Sequence, residues 1–170
     1  VSVPLFTAQT DNSNGCLLYQ TIAKLLASPI PKANQNIKYD WIILERFGIK
    51  VNNVVGDTMI AASVIYPELP KKLHFLTSIY TDIPYYKDDG KDFDPKVHPF
   101  SQLLNYNAKD SLVAHQINTK QKEEISELGI SELYNNLIKL IPIYKEIDQI
   151  GLLVDEDRRN TLINTYRATQ

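Results

Sequence analysis

Three short stretches hold residues whose types and spacing suit chemistry: Asn34-Gln35-Asn36-Ile37-Lys38-Tyr39-Asp40, Gly56-Asp57-Thr58-Met59 and Tyr106-Asn107-Ala108-Lys109-Asp110. Asp40 follows a short extended segment and stands at the start of an expected helix. A carboxylate held there by regular structure suits a metal ion or a metal-bound water, or it simply caps the helix. Tyr106 and Asp110 lie four residues apart on an expected helix, so they share one face a turn apart. A tyrosine in that place can orient an attacking water while the aspartate holds a divalent cation. The spacing alone does not decide, because Tyr85/Asp89 and Tyr144/Asp148 repeat it in this chain.

The elements that must position these residues are mostly helical. Val1 to Phe6 reads as a short strand and Thr7 to Gly15, rich in polar residues, as a loop. Apolar residues at helical spacing predict a helix from Leu17 to Ala27, then a short extended piece from Ile30 to Asn34. A helix over Asp40 to Phe47 is stopped by Gly48, and Ile49 to Val55 reads as a strand. Asp57 or Thr58 caps the next helix. Leu73, Leu76, Ile79 and Tyr80 mark a further one. Asp82 to Pro99 is a long polar loop, with Tyr85 to Lys91 mixing aromatics and lysines as single-strand contacts do. Helices follow from Phe100 to Lys122 and from Ser131, as cap, to Ile147, bent at Pro142. Gly151 to Val154 reads as a strand, and Asp155 caps a last helix through Arg167. Trp41 belongs to an apolar stripe. Lys71, Lys72 and Lys120 to Glu124 read as solvated charge.

Composition bounds the rest. The chain has 170 residues, is 44% hydrophobic and 22% charged, and carries a net charge of −2. That suits one globular domain with a piece of a second. There is no overall basic footprint for nucleic acid, although a site that holds metal ions is itself acidic. The single cysteine, Cys16, excludes a disulfide framework and the expected compartment is the cytoplasm of a bacterium or a virus-infected cell. No apolar run reaches the ~20 residues of a membrane-spanning helix, so no membrane partner is expected.

The three stretches resemble the exonuclease motifs of family A DNA polymerases, in order. Asn34 to Asp40 is similar to the second motif, Gly56 to Met59 to the Asp-Thr-Met segment after it, and Tyr106 to Asp110 to the third, with Asp110 placed 70 residues after Asp40. Tyr66 to Pro70, Ser78 to Thr81 and Pro84 to Lys91 look most like phage and virus members. Tyr144 to Asp155 resembles the junction where the polymerase domain begins.

The resemblance implies an α/β, ribonuclease H-like 3′→5′ exonuclease fold. It implies four acidic ligands for two divalent ions, Mg²⁺ or Mn²⁺, set ~3.5–4 Å apart. Asp40 and Asp110 match two ligands and Tyr106 the water-orienting tyrosine. Asn36, Lys38 and Tyr39 match positions near the substrate. The expected partner is the single-stranded 3′ end of a DNA primer, with deoxynucleotides serving the parent polymerase. Residues 1–125 are expected to form the exonuclease domain and 126–170 a linker helix and the start of the polymerase domain.

One departure stands out. The family's first motif, Asp-x-Glu, occurs nowhere in the 170 residues. The expectation is an N-terminally truncated domain, inactive by itself. The alternatives are a free-standing exonuclease on RNA or DNA, and a non-catalytic domain that kept the fold.

Overall fold

A computed structural model describes residues 12–168 apart from 91, 92 and 95. The strand expected at Val1 to Phe6 lies outside these residues. Among those described, the order is α1 (Asn12–Ala27), β1 (Lys32–Asn34), α2 (Ile37–Arg46), β2 (Val54–Asp57), α3 (Thr58–Ile65), α4 (Leu73–Tyr80), a 3₁₀ turn (Lys87–Gly90), α5 (Phe100–Glu127), α6 (Ser131–Ile150) and α7 (Glu156–Ala168). β1 and β2 pair in parallel, with Ala33 opposite Gly56 and Asn34 opposite Asp57. Parallel strands need a crossover, and α2 supplies it.

Gly56 is the residue that lets the sheet meet α5. A Cβ there would stand 2.8 Å from Asn118 Oδ1 and 2.9 Å from the Ala33 Cβ. Any larger residue would push β2 off its neighbours.

α5 is the spine. Val113, Ala114, Ile117, Gln121 and Ile125 recur at steps of one, three and four, so one face of the helix is buried. Two apolar clusters use it. One joins Ile37, Ala61, Ile125, Tyr134, Ile138 and Ile141, with Trp41 packed against it. The other joins Ala62, Leu76, Tyr80, Tyr86, Val113 and Ile117. The buried Gln121 donates through Nε2 to the Thr58 carbonyl at 3.2 Å, tying α5 to the start of α3.

Several expectations change. α1 begins at Asn12, so residues 12–15 are helical where a loop was expected. α2 starts at Ile37, three residues before Asp40, which therefore lies in the first turn and caps nothing. Ile49 and Val51 are buried in alternation, as a strand pattern demands, yet among the described residues they join no strand ladder and β2 starts only at Val54. Ile130, not Ser131, is the N-cap of α6, which continues through Pro142 to Ile150. Gly151 to Val154 is exposed irregular chain. Two charges thought to be solvated are structural. Lys71 donates to the carbonyls of Tyr66, Pro67 and Leu69. Glu124 accepts the hydroxyls of Tyr66 and Tyr80, the latter at 2.6 Å. The caps at Asp57 and Asp155 are as expected, the latter accepting from the Arg158 N–H at 2.9 Å.

Candidate active site

The site grows from the carboxyl ends of the two strands. Because β1 and β2 run in parallel, the helices that follow them start side by side at the same sheet edge, the usual ligand edge of α/β folds. Each helix start leaves backbone N–H groups unsatisfied. One carboxylate serves both. Asp57, almost fully buried, caps α3 by accepting from Met59 N at 2.8 Å and Ile60 N at 3.3 Å. It also reaches to α2, accepting from Ile37 N at 2.8 Å and Asn36 N at 3.2 Å. Burial pushes the Asp57 carboxyl above its ordinary range, and these four N–H groups pull against that shift.

Asn36 needs this support. It is the N-cap of α2 with φ of 52°, in the left-handed region, and its own side chain makes no capping bond. Asparagine tolerates that conformation better than most residues. The resulting turn folds Asp40 back toward β1, where Asn34 Nδ2 donates to Asp40 Oδ2 at 2.7 Å. Burial raises the Asp40 carboxyl above its ordinary value. The Asn34 bond lowers it, and the nearby Asp57 charge adds to the rise.

The opposite wall is α5. Asp110 Oδ1 accepts from the Tyr86 hydroxyl and from Lys87 Nζ, both at 2.6 Å. Lys87 also donates to the Tyr106 hydroxyl at 3.1 Å. Its ammonium stands 4.9 Å from the centre of the Tyr106 ring and 5.3 Å from that of Tyr86. Burial and the Asp110 carboxylate both push the Tyr86 hydroxyl pKa well up, so it stays a donor. Gly90 permits the arrangement: a Cβ would sit 2.8 Å from the Tyr106 ring.

Between these walls lies an open cleft of about 640 Å³. Asn36, Tyr39, Asp40 and Asp110 all line it, with Lys72, His74, Lys87 and Asn107. Tyr39 is exposed at the rim. Tyr106 lies on the neighbouring groove and meets the cleft through the bond from Lys87. Lys38 is elsewhere, on the side of α2 that faces α6, paired with Asp148 at 2.5 Å. Sequence reasoning placed Asn34 and Asp57 in two of the candidate stretches but gave neither its role at the site, and it missed Tyr86 and Lys87. The only signal for the last two was the aromatic and lysine mixture at Tyr85 to Lys91.

The donor type fits a divalent cation, since Mg²⁺ and Mn²⁺ favour carboxylate oxygens. The number is short. Among the described residues no group of three or more His, Cys, Asp or Glu side chains comes together as a metal cage.

With this geometry in place, comparison with known proteins is decisive. A 3′–5′ exonuclease family profile of the DNA polymerase A type matches residues 5–126, which include Asp40, Tyr106 and Asp110. The chain belongs to that exonuclease family. DNA polymerase I of Synechocystis sp. is 26% identical over 168 residues, covering 94% of this chain and 17% of the relative. DNA polymerase I of Rhizobium leguminosarum is 29% identical over 137 residues, covering 73% and 13%. The chain thus spans a small part of these curated relatives. Among solved structures, Brucella melitensis NrnC superposes with a TM-score of 0.66 at 22% identity, over 85% of this chain and 68% of that one. The same protein with bound Mg²⁺ gives a TM-score of 0.64 at 22% identity. The fold is therefore the ribonuclease H-like exonuclease fold, and the described residues hold two strands of its sheet. Among the same residues, no helix is long and apolar enough to cross a membrane.

Proposed function

We propose that this chain is the editing part of a DNA polymerase, hydrolysing the 3′-terminal phosphodiester of a frayed DNA primer. The observation that carries the reading is that Asp40 and Asp110, from two separate family motifs, line one cleft at the carboxyl ends of the parallel strands. When bound, two Mg²⁺ or Mn²⁺ ions lower the pKa of the attacking water and offset charge on the leaving 3′ oxygen. Asp40 and Asp110 would hold them. The Tyr106 hydroxyl orients the water. Asn36 and Tyr39 border the terminal nucleotide, with the exposed Tyr39 ring offering a face for stacking. Water attacks phosphorus, the P–O3′ bond breaks, and a nucleotide leaves. A mismatched end is preferred because it unpairs more easily.

In the parent, residues 1–125 form the editing domain and 126–170 the linker helix and first residues of the polymerase domain. Tyr134, Ile138 and Ile141 of the linker helix close the editing domain's core. A second reading, a free-standing nuclease, is favoured by the similarity to NrnC over most of that protein. The test is a time course with the full natural protein and Mg²⁺ on 5′-labelled primers, matched, 3′-mismatched and RNA. Faster loss of the mismatched DNA end, abolished by Asp110→Asn without loss of primer extension, supports editing. A preference for RNA, or no extension, supports the second reading. Digestion unchanged in Asp110→Asn refutes both.

A further inference from the structure

We propose that Lys87 is a substrate-binding residue that takes the scissile phosphate, an assignment that rests on the exonuclease reading. An ammonium has three N–H donors. Two are used, on Asp110 Oδ1 at 2.6 Å and on the Tyr106 hydroxyl at 3.1 Å. Among the described residues the third finds no acceptor, and Lys87 lines the cleft. The side chain is 18% exposed, so the open direction is the cleft itself. Little ordering cost remains, because Tyr86 and Tyr106 flank the ammonium and Gly90 lets the 3₁₀ turn sit against the Tyr106 ring.

The charge of the cleft supplies the reason. Asp40 and Asp110 repel a phosphodiester at the place where it must lie. A cation paired to Asp110 on one side and open to the cleft on the other offsets that repulsion without leaving its carboxylate. Lys72 also lines the cleft and is exposed, whereas Lys87 alone touches both Asp110 and Tyr106 among the described lysines of the cleft. Its bond to the Tyr106 hydroxyl occupies an acceptor lone pair there, so the hydroxyl hydrogen points away from the ammonium. Lys87 therefore holds phosphate and tyrosine in one frame.

The test is binding in EDTA, which separates recognition from hydrolysis. The full natural protein and its Lys87→Met variant are titrated with 5′-fluorescein tetrathymidylate, read by anisotropy at several salt concentrations. Lys87→Met is expected to bind about tenfold more weakly, the worth of one charge-assisted hydrogen bond. The slope of log affinity against log salt should shrink by about 0.7, one phosphate contact on a single strand. Replacing the 3′-terminal phosphodiester by a neutral methylphosphonate should weaken wild type and leave Lys87→Met unchanged. Lys87→Arg should restore the slope. If Lys87→Met does not fold, Lys87→Gln keeps a donor to Asp110 and should show the same loss. An unchanged slope, or an equal methylphosphonate penalty in both proteins, overturns the assignment. Wild type that releases no nucleotide from the same strand with Mg²⁺ refutes the exonuclease reading, and this proposal with it. Cleavage by wild type with an unchanged slope in the variant refutes the Lys87 assignment alone.

Discussion

Asp57→Ala tests whether one buried carboxylate holds the site together. The substitution removes the N-cap of α3, worth about 1–2 kcal/mol. It also strips the Ile37 N–H of its 2.8 Å acceptor and the Asn36 N–H of its 3.2 Å acceptor. A buried donor left without a partner costs about 1–3 kcal/mol. Against these losses stands the desolvation that raises the Asp57 carboxyl pKa, and part of it is returned when the charge is removed. The net loss should be about 2–3 kcal/mol, a fall in Tm of roughly 5–10 °C for a chain of this size. Asp57→Asn keeps one acceptor oxygen and avoids the buried charge, so its loss should be nearer about 1 kcal/mol. Urea unfolding followed by circular dichroism gives both midpoints. Equal losses for Ala and Asn, or a loss under about 1 kcal/mol for Ala, would refute the dual-cap reasoning. In the full natural protein, exonuclease activity should fall further than stability, because the left-handed Asn36 turn that aims Asp40 loses its anchor.

Asp40→Asn should abolish nucleotide release by the full natural protein and yet leave the fold as stable as wild type or more so. The Asn34 amide can still donate to the new side chain, and the partly buried charge beside Asp57 is gone. The raised folded pKa of Asp40 means its ionised form costs stability. That cost is absent below the ordinary value of 3.8, grows as pH rises above it, and is fully present once the folded pKa is passed. The difference in urea midpoint should therefore be nil near pH 3 and constant at pH 7, and a variant less stable at pH 7 would contradict this. Lys145→Met should lower stability by about 1 kcal/mol, since the pair with Glu45 at 2.7 Å is only partly buried. Trp41, the chain's one tryptophan, lies 4.9 Å from the Lys145 ammonium, so its emission should shift to the red. Burial works against it, yet hydrogen bonds from Lys145 and Gln149 hold the Glu45 carboxyl below its ordinary value. Stability from this pair is present above 4.5 and lost on acidification, and Lys145→Met should flatten that loss.

What could be read from the sequence depended on how local the cause was. The Asp57 cap is local, since Met59 and Ile60 follow it directly, and it was legible. Its hold on Asn36 and Ile37 was not, because it depends on the register that sets Asn34 opposite Asp57. Tyr106 and Asp110 share a helix face by spacing alone. Tyr86 and Lys87 reach Asp110 only through the fold of a loop, from 24 and 23 residues away in sequence. The strand expected at Ile49 to Val55 is met at its end, Val54 and Val55, and not before. The alternation of buried Ile49 and Val51 is real, but a strand needs a hydrogen-bonding partner, and among the described residues only Val54 to Asp57 finds one, in β1. Gly151 to Val154 is apolar but irregular, since among the described residues it has no strand to pair against.

The same logic links the site to the C-terminal helices. α2 carries Asp40, and its outer side is tied to α6 by Lys38 with Asp148 at 2.5 Å and by Glu45 with Lys145 at 2.7 Å. Gln149 adds a bond to Glu45 at 3.0 Å. These ties lie at the first turn and the last turn of α2, so they fix its rotation as well as its distance. Rotation is what matters for Asp40, because one residue around a helix is about 100°. A shift of α6 along α2 would break both pairs before it disturbed the apolar contacts of Ile138 and Ile141 nearer the core. Lys38, expected beside substrate, instead holds the helix that presents Asp40 and Tyr39 to the cleft.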